Sequence, residues 1–405
     1  MKIAENIHRT SCRLCGSKLS ENIIGLGDQF INDFLEDLDQ KGRNGICPLD
    51  IVHCDNCDLY QLSHTAPQEL LYSRHYWYKS GINNTITNDL KNIAKLGTEL
   101  VNLEKSDVFL DIGANDGTLL SNLRDTCITV GCEPASNLAN ELKTNCDYQI
   151  HDFWNQKNYE DLGIDKAKVI TAIGMFYDME DPNQFIADAA KVMHEDGIFI
   201  AQLMTLKPML DNKDLGNICH EHLEYYTYNS LVFLFETNGL EIYKIEENKI
   251  NGGSYRIFAR HLDKGSIDYN ENITKQDVIN FQNDVDKIKN EIQALVKEFQ
   301  KDGKKIYAYG ASTKGNVICQ YFGLTSKEII AIADKNPAKH GLFSLTDIPI
   351  ISEEEARKDA DVFVILPYGF TEEFILRERD WVMNGGTLVS PLPELRVITK
   401  DYYDS

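Results

Sequence analysis

What the chain lacks narrows its role before any motif is read. No uncharged apolar run approaches the roughly 20 residues that span a bilayer. The opening residues, MKIAENIHRTSCRLCG, hold no apolar stretch of signal-peptide length, so a cytoplasmic protein is expected. Positive charge is scarce: 41 Lys+Arg stand against 63 Asp+Glu, leaving a net charge of -22. Such a surface repels phosphate backbones and anionic lipid, which disfavours nucleic-acid and membrane-surface partners. There is no internal repeat, no low-complexity tract, no GK[ST] phosphate loop and no H-E-x-x-H metal motif.

What is present is a long globular chain. Its 405 residues exceed what one hydrophobic core usually organises, so two or three domains are expected, with enough burial to fold without disulfides. Ten cysteines in a reducing compartment should then be free thiols. Four of them nevertheless fall in two CxxC pairs, Cys12/Cys15 and Cys54/Cys57. Two bidentate pairs of soft thiolates are what a tetrahedral structural zinc requires, and they leave no open position for catalysis. Cys47, His53 and His64 lie close enough in sequence to be alternative ligands.

The pattern changes along the chain. Up to about Lys79 it is short and turn-rich, which suits a small metal-organised module over residues 1–79. From Ser106, apolar stretches (DVFLDIG, ITVGCEP, KVITAIGMF, GIFIAQLM) alternate with amphipathic ones such as FIADAAKVMHE. That alternation predicts a parallel, doubly wound sheet in a Rossmann-like domain over 80–272. A charged helix is expected from about Thr274 to Asp302, with Val278, Phe281, Val285, Ile288, Ile292, Val296 and Phe299 at helical spacing, reading as a connector between lobes. A second set of strands, KKIYAYG, EIIAIAD, DVFVILP and GTLVSP, completes a C-terminal Rossmann-like α/β unit, so that 273–405 holds the helix and this unit.

The central unit opens with Asp107-Val-Phe-Leu-Asp111-Ile-Gly113-Ala-Asn115-Asp116-Gly117, an expected strand running into a glycine turn and then a helix. Glycines let a cofactor approach the backbone closely. The polar content of this turn is acidic, and Asp111, Asn115 and Asp116 favour a sulfonium and an amino group over a pyrophosphate. The signature therefore points to S-adenosylmethionine rather than a dinucleotide. Glu133 ends the next strand, where an acid accepts hydrogen bonds from ribose hydroxyls, and Asp152 with Phe153 follows the third strand, where adenine is expected.

Asn217-Ile-Cys219-His220-Glu221-His222-Leu-Glu-Tyr225-Tyr226 sets two imidazoles and a carboxylate in consecutive positions. Histidine titrates near neutrality and can take a proton from an acceptor while a carboxylate orients it. His-x-His chelation of a metal and a structural histidine pair are the alternatives. Two more clusters can line the same cleft or simply pack between domains: Tyr76-Trp-Tyr78-Lys-Ser80-Gly81, and Asn248 with Asn251, Ser254 and Arg256. In the last unit, Tyr309-Gly-Ala-Ser312-Thr-Lys314-Gly-Asn316 joins a strand to a helix, a place where backbone amides and Lys314 suit a phosphate. A degenerate nucleotide fold is the competing reading there, with Asp334 ending the following strand.

Taken together, CxxC…CxxC, DIGANDG, GMFYDMEDP, CHEHLEYY, NGGSYR and YGASTKGN resemble the three-part sugar C-methyltransferase family of deoxysugar and surface-polysaccharide biosynthesis, over nearly the whole length. The resemblance implies a zinc domain, a central methyltransferase domain and a C-terminal Rossmann-like domain enclosing a nucleotide-linked 4-keto sugar. It implies His222 as the base at the sugar carbon, with Glu221 and the tyrosines near Tyr76 and Tyr78 supporting binding or the enolate. One departure is Cys219, where relatives acting on 4-keto deoxysugars often carry tyrosine. Three rival functions stand beside this one. A sugar O-methyltransferase would use the same cofactor and base. A non-catalytic zinc-organised scaffold would keep the folds but has no need of Asp111, Gly113, Glu133 and His222. An NAD-linked oxidoreductase would need a clean G-x-G-x-x-G, which the central loop lacks.

Overall fold

The computed structural model describes residues 6–31, 33–67, 70–71 and 78–404. Its α/β architecture is built on three larger sheets. The first is antiparallel and pairs Asn22–Phe30 with Ile46–His53 and then Tyr60–Leu62. Its fourth strand comes from far along the chain: Glu224–Tyr225 lies against Gln61 and Tyr60. The histidine motif thus runs straight into the sheet of the N-terminal module.

The central sheet has seven strands in the order Leu240–Asn248, Ser254–His261, Met193–Leu203, Ala167–Ile173, Val108–Ile112, Ile128–Cys132, Tyr148–Ile150. The five from Met193–Leu203 to Tyr148–Ile150 are parallel, and Ser254–His261 is antiparallel to its neighbours on both sides. Counted along the chain the order is 3-2-1-4-5-7-6. Strand order reverses beside Val108–Ile112, so a crevice opens at the carboxyl ends there, where open α/β sheets bind ligands. The six-stranded C-terminal sheet runs Ile350–Ser352, Ile332–Asp334, Ile306–Tyr309, Val362–Ile365, Thr387–Ser390 and an antiparallel edge, Arg396–Ile398. Among the described residues no helix is long and apolar enough to cross a membrane.

Three local expectations change. The glycine turn leads into tight turns and a short 3-10 helix, Leu120–Leu123, in place of an α-helix. Asn115 and Gly117 both take left-handed φ, 52° and 79°, and Asp125 at 64° stops the helix on its far side. The helix over FIADAAKVMHE ends at Val192, because Met193 turns extended and begins the strand Met193–Leu203. The long helix, Lys275–Lys301, starts at a Thr274/Asp277 capping box as the sequence suggests, but it is a core element as well as a connector. Val278, Phe281, Val285, Ile288, Ile292 and Val296 bury into a core shared with Ile24, Leu49 and Ile51 of the first sheet and Ile306, Val317 and Ile318 of the last unit. At about 1.5–3 kcal/mol for each large aliphatic or aromatic side chain, this stripe locks N- and C-terminal units together.

Candidate functional site

The four paired cysteines meet. Their sulfurs all lie within 4.8 Å of one another, with Cys12 to Cys57 at 3.5 Å and Cys15 to Cys54 at 3.4 Å, and none is in a disulfide. Zinc–sulfur bonds of about 2.3 Å set sulfurs roughly 3.8 Å apart in a tetrahedron, so the donor set fits zinc. Both knuckles close alike: Gly16 N–H donates to the Cys12 carbonyl at 3.0 Å and Asp58 N–H to the Cys54 carbonyl at 2.9 Å. Gly16 and Asp58 take the left-handed φ this turn needs, 70° and 62°. Gln61 Nε2 donates to Cys12 Sγ at 3.3 Å and steadies its charge. The alternative ligands are engaged elsewhere: His53 Nε2 lies 2.9 Å from Asp58, His64 Nδ1 2.9 Å from Ser63 Oγ, and Cys47 faces the Pro48 carbonyl.

A cavity of about 380 Å³ lies at the carboxyl ends of the central strands. Gly113, Asn115, Glu133 and Phe153 line it, joined by Tyr78 and Ser80 from the segment before the α-helix Asn84–Leu100. Its wall also carries Asp178, Glu180, Asp181 and Asp188, and among the described residues no Lys, Arg or His faces it. This lining suits a cation and repels a pyrophosphate, in keeping with the acidic turn. Glu133 accepts from Asn115 N–H at 3.0 Å and Ala135 N–H at 2.8 Å, one on each oxygen. Its remaining lone pairs are available to hydroxyls, and burial raises its pKa. Phe153 and Trp154 offer adjacent aromatic surfaces, Trp154 being held by its Nε1–H bond to the Phe185 carbonyl at 3.2 Å.

Asp111, Asp116, Gly117 and Asp152 stand behind the wall, and the lining residues Gly113 and Asn115 are fixed by their neighbours. Asp111 is buried, accepts the Thr171 hydroxyl at 2.6 Å, and is pushed by burial up to about 7. Asp116 accepts Thr118 N–H at 3.1 Å and Gly81 N–H at 2.9 Å, while Asn115 accepts Ser80 N–H at 3.0 Å and donates to the Tyr78 carbonyl at 3.2 Å. Asn115 and Asp116 therefore fasten residues 78–81 onto the glycine turn. Gly113 is required by Met175, whose Cγ would lie 2.5 Å from an added Cβ, and Gly117 by Asn145 at 2.6 Å. Asp152 bonds Phe153 N–H at 2.8 Å and Asn158 at 3.2 Å, so it orients Phe153.

Beside this cavity sits the histidine loop. His222 Nδ1 is 2.8 Å from the Asn217 carbonyl. A carbonyl only accepts, so Nδ1 carries the proton and Nε2 of the neutral ring keeps its lone pair. Burial, reinforced by the Lys314 charge, pushes the His222 pKa down to about 4. Tyr177 joins loop to cavity: its ring meets His222 edge-on with centroids 4.5 Å apart, and its hydroxyl donates to the Gly174 carbonyl on the cavity wall at 2.8 Å. His220 faces away, with Nε2 3.0 Å from the Cys47 carbonyl, and burial likewise lowers its pKa to about 4. Glu221 is partly exposed beside them. Burial raises the Cys219 thiol well above its usual range, and the Glu221 and Asp178 charges add to that. Tyr76 lies outside the described residues, and Tyr78 is half-exposed.

The C-terminal unit grips the same loop. Lys314 Nζ pairs with Asp214 at 2.9 Å, and the Tyr368 hydroxyl donates to the other Asp214 oxygen while accepting Gly216 N–H at 3.1 Å. Gly216 is needed because an added Cβ would lie 2.8 Å from Lys314 Cβ. Most of the side chains expected to hold substrate are engaged within the protein. Ser312 caps its helix through Gly315 N–H at 3.0 Å, and Asn316 donates to the Asp33 carbonyl at 3.1 Å. Arg256 pairs with Asp89 at 2.6 Å and Gln202 at 2.9 Å, to which Asn248 also donates. Ser254 donates to the Ile250 carbonyl at 2.9 Å, and Asn251 holds a left-handed φ of 55° in that turn. Sequence reasoning passed over Trp154, Asp178, Glu180, Asp214 and Tyr368. The acids of GMFYDMEDP and the tryptophan after Phe153 were visible signals. Asp214 and Tyr368 are 154 residues apart and carry none.

Comparison with known proteins finds three domain families along the chain. Residues 12–72 match the domain family described as "Putative zinc binding domain", 87–245 one described as "Methyltransferase domain" and 249–393 one described as "C-methyltransferase C-terminal domain". C-methyltransferase NovU of Streptomyces niveus is 27% identical over 411 residues, covering 96% of this chain and 97% of the relative. Among solved structures, a magnesium protoporphyrin IX methyltransferase of Synechocystis with bound SAM is 12% identical with a TM-score of 0.34, covering 44% of this chain and 79% of that one. Mycolic acid cyclopropane synthase CmaA1 is also 12% identical, with a TM-score of 0.35 over 48% of this chain and 90% of its own. The three domain matches run consecutively from zinc module to C-terminal unit, so the chain has the three-domain architecture shared with C-methyltransferase NovU and is an S-adenosylmethionine-dependent methyltransferase.

Proposed function

We propose that the chain methylates a carbon next to the keto group of a nucleotide-linked sugar, with His222 as the base. The observation carrying this reading is the His222 ring: Nδ1 is committed to the Asn217 carbonyl, so Nε2 is the basic atom, and burial keeps it unprotonated at neutral pH. Bound S-adenosylmethionine supplies an electrophilic methyl group on a sulfonium. His222 Nε2 takes the proton from the carbon alpha to the carbonyl, and the C–H electron pair moves toward the carbonyl oxygen as an enolate. The Nδ1–H bond to Asn217 steadies the imidazolium that forms, while the Lys314 charge, which opposes that imidazolium, favours the enolate.

Glu221, Tyr78 and Tyr76 are assigned to hold the sugar and the enolate oxygen, and His220 to hold the loop against the N-terminal module. Asp111, Gly113, Asn115, Asp116 and Gly117 shape the cofactor turn, with Glu133 toward ribose and Asp152 and Phe153 toward adenine. We assign the nucleotide to the C-terminal unit at the Ser312–Lys314–Asn316 turn, with Asn251, Ser254 and Arg256 as further contacts. We place the domain boundaries at 79/80 and 272/273 and the reaction in the cytoplasm, where four thiolates stay reduced.

The test uses a nucleotide-linked 4-keto deoxysugar in heavy water with S-adenosylhomocysteine in place of the methyl donor. Deuterium entering the alpha carbon with wild type, and not with His222→Asn, is the expected result. Methyl transfer to oxygen without any exchange would overturn the enolate and leave an O-methyltransferase.

A further inference from the structure

The metal centre and the cavity share one ion network, buried at Arg13 and Glu224 and partly exposed at Glu180 and Arg9, which no part of the methyl-transfer chemistry requires. Arg13 lies inside the first knuckle, between Cys12 and Cys15, and its side chain is 0% exposed. Nη1 donates to the Leu62 carbonyl at 2.8 Å and Gln61 Oε1 at 3.2 Å, and Nη2 to Thr65 Oγ1 at 2.7 Å. Nε donates to Glu180 at 3.3 Å, and Glu224 lies 3.7 Å away. Glu180 is on the cavity wall, where it also takes Arg9 at 2.6 Å and the Thr65 hydroxyl at 2.7 Å. A second tie runs through the backbone: Asn183 Nδ2 donates to the Arg13 carbonyl at 3.2 Å and the Leu14 carbonyl at 2.9 Å. Asn183 is in the first turn of Pro182–Val192, the helix whose Gln184, Phe185 and Asp188 line the same cavity.

We propose that Arg13 is a positioning residue that couples metal occupancy to cofactor affinity, by tying the Cys12–Cys15 knuckle to the cavity wall over 180–188. This rests on the reading of that cavity as the cofactor site. A guanidinium donates through a rigid fork, so its bonds are made only while its own backbone is held. Metal holds that backbone, because a structural zinc site and its fold form together. Losing the knuckle strands Glu180 and Glu224 with fewer compensating donors, and a half-broken buried ion pair is costly. Coupling is reciprocal, so a ligand that orders 180–188 must also retain zinc more firmly.

The test uses the intact, zinc-loaded chain. Zinc release to the chelator 4-(2-pyridylazo)resorcinol is timed with and without saturating S-adenosylhomocysteine, and affinity is measured by titration calorimetry. For wild type, S-adenosylhomocysteine is expected to slow release about tenfold, within the usual range of such couplings. In Arg13→Gln, with full zinc content, that protection is lost and affinity falls by a similar factor. Unchanged release in wild type, or undiminished protection in Arg13→Gln, overturns the proposal. Should Arg13→Gln fail to hold zinc, Glu180→Gln decides, because it leaves every residue of the Cys12–Cys15 knuckle in place: lost protection at saturation supports the coupling and kept protection overturns it. A wild type that binds no S-adenosylhomocysteine overturns the cofactor-cavity reading first, and the coupling with it.

Discussion

The Nδ1–H bond to Asn217 decides which nitrogen of His222, the proposed base, keeps its lone pair, and its surroundings decide over what pH range. His222→Asn is expected to lower kcat by about 10²- to 10⁴-fold, the usual contribution of a positioned base, while calorimetry shows unchanged S-adenosylhomocysteine affinity. The acid limb of kcat/KM should fall near pH 4, well below the ordinary histidine value of 6.5. Lys314→Met removes a charge that helps depress that pKa, so the limb should move upward. A limb unmoved by Lys314→Met would deny the lysine any electrostatic role at the base. The same shifts bear on stability. The folded protein keeps His220 and His222 neutral down to about 4, whereas the unfolded chain protonates them near 6.5. The unfolded state therefore binds more protons between those values, and stability is lost as pH falls through that window. The urea midpoint should drop between neutral pH and about pH 5.

The long helix Lys275–Lys301 shows how an amphipathic pattern is legible while its partners are not. The spacing of Val278 through Val296 marks the buried stripe, and nothing local says that it faces both terminal units. Ile288→Ala should cost about 2–4 kcal/mol in urea unfolding with the m-value unchanged, since it opens a cavity in a shared core. Tyr368→Phe removes the hydroxyl from both Asp214 and Gly216 N–H across the joint between units. A loss of about 1–3 kcal/mol is expected, as for a buried bond whose partners stay behind. A neutral result would mean that the Lys314 pair and the shared apolar core hold Asp214 in place without the hydroxyl.

At the scale of the whole molecule, the N-terminal module does not stand apart. Its sheet takes Glu224–Tyr225 as a strand, and its apolar side chains belong to cores shared with both other units. Zinc removal by a chelator is therefore expected to lower Tm by on the order of 10 °C in one cooperative transition. A separate early transition confined to the module, with the main one unshifted, would show the units to be independent.

What the sequence determined by itself is local chemistry. CxxC spacing puts two sulfurs on one turn, a glycine turn after an apolar strand opens a backbone to a ligand, and alternating periodicities dictate a parallel sheet. Each depends on neighbours within a few residues, so Cys12, Cys15, Cys54, Cys57, Gly113, Glu133 and Phe153 could be singled out, and the structure places the four sulfurs together and Gly113, Glu133 and Phe153 on one cavity wall. Only the tertiary structure decided what the charged side chains are for. Arg256 takes Asp89 and Gln202, Lys314 takes Asp214, and Asp111 takes Thr171, partners that no local pattern announces. A buried charge takes whichever partner folding brings within reach, and for Arg13 with Glu180 or Asp214 with Tyr368 that partner lies more than 150 residues away.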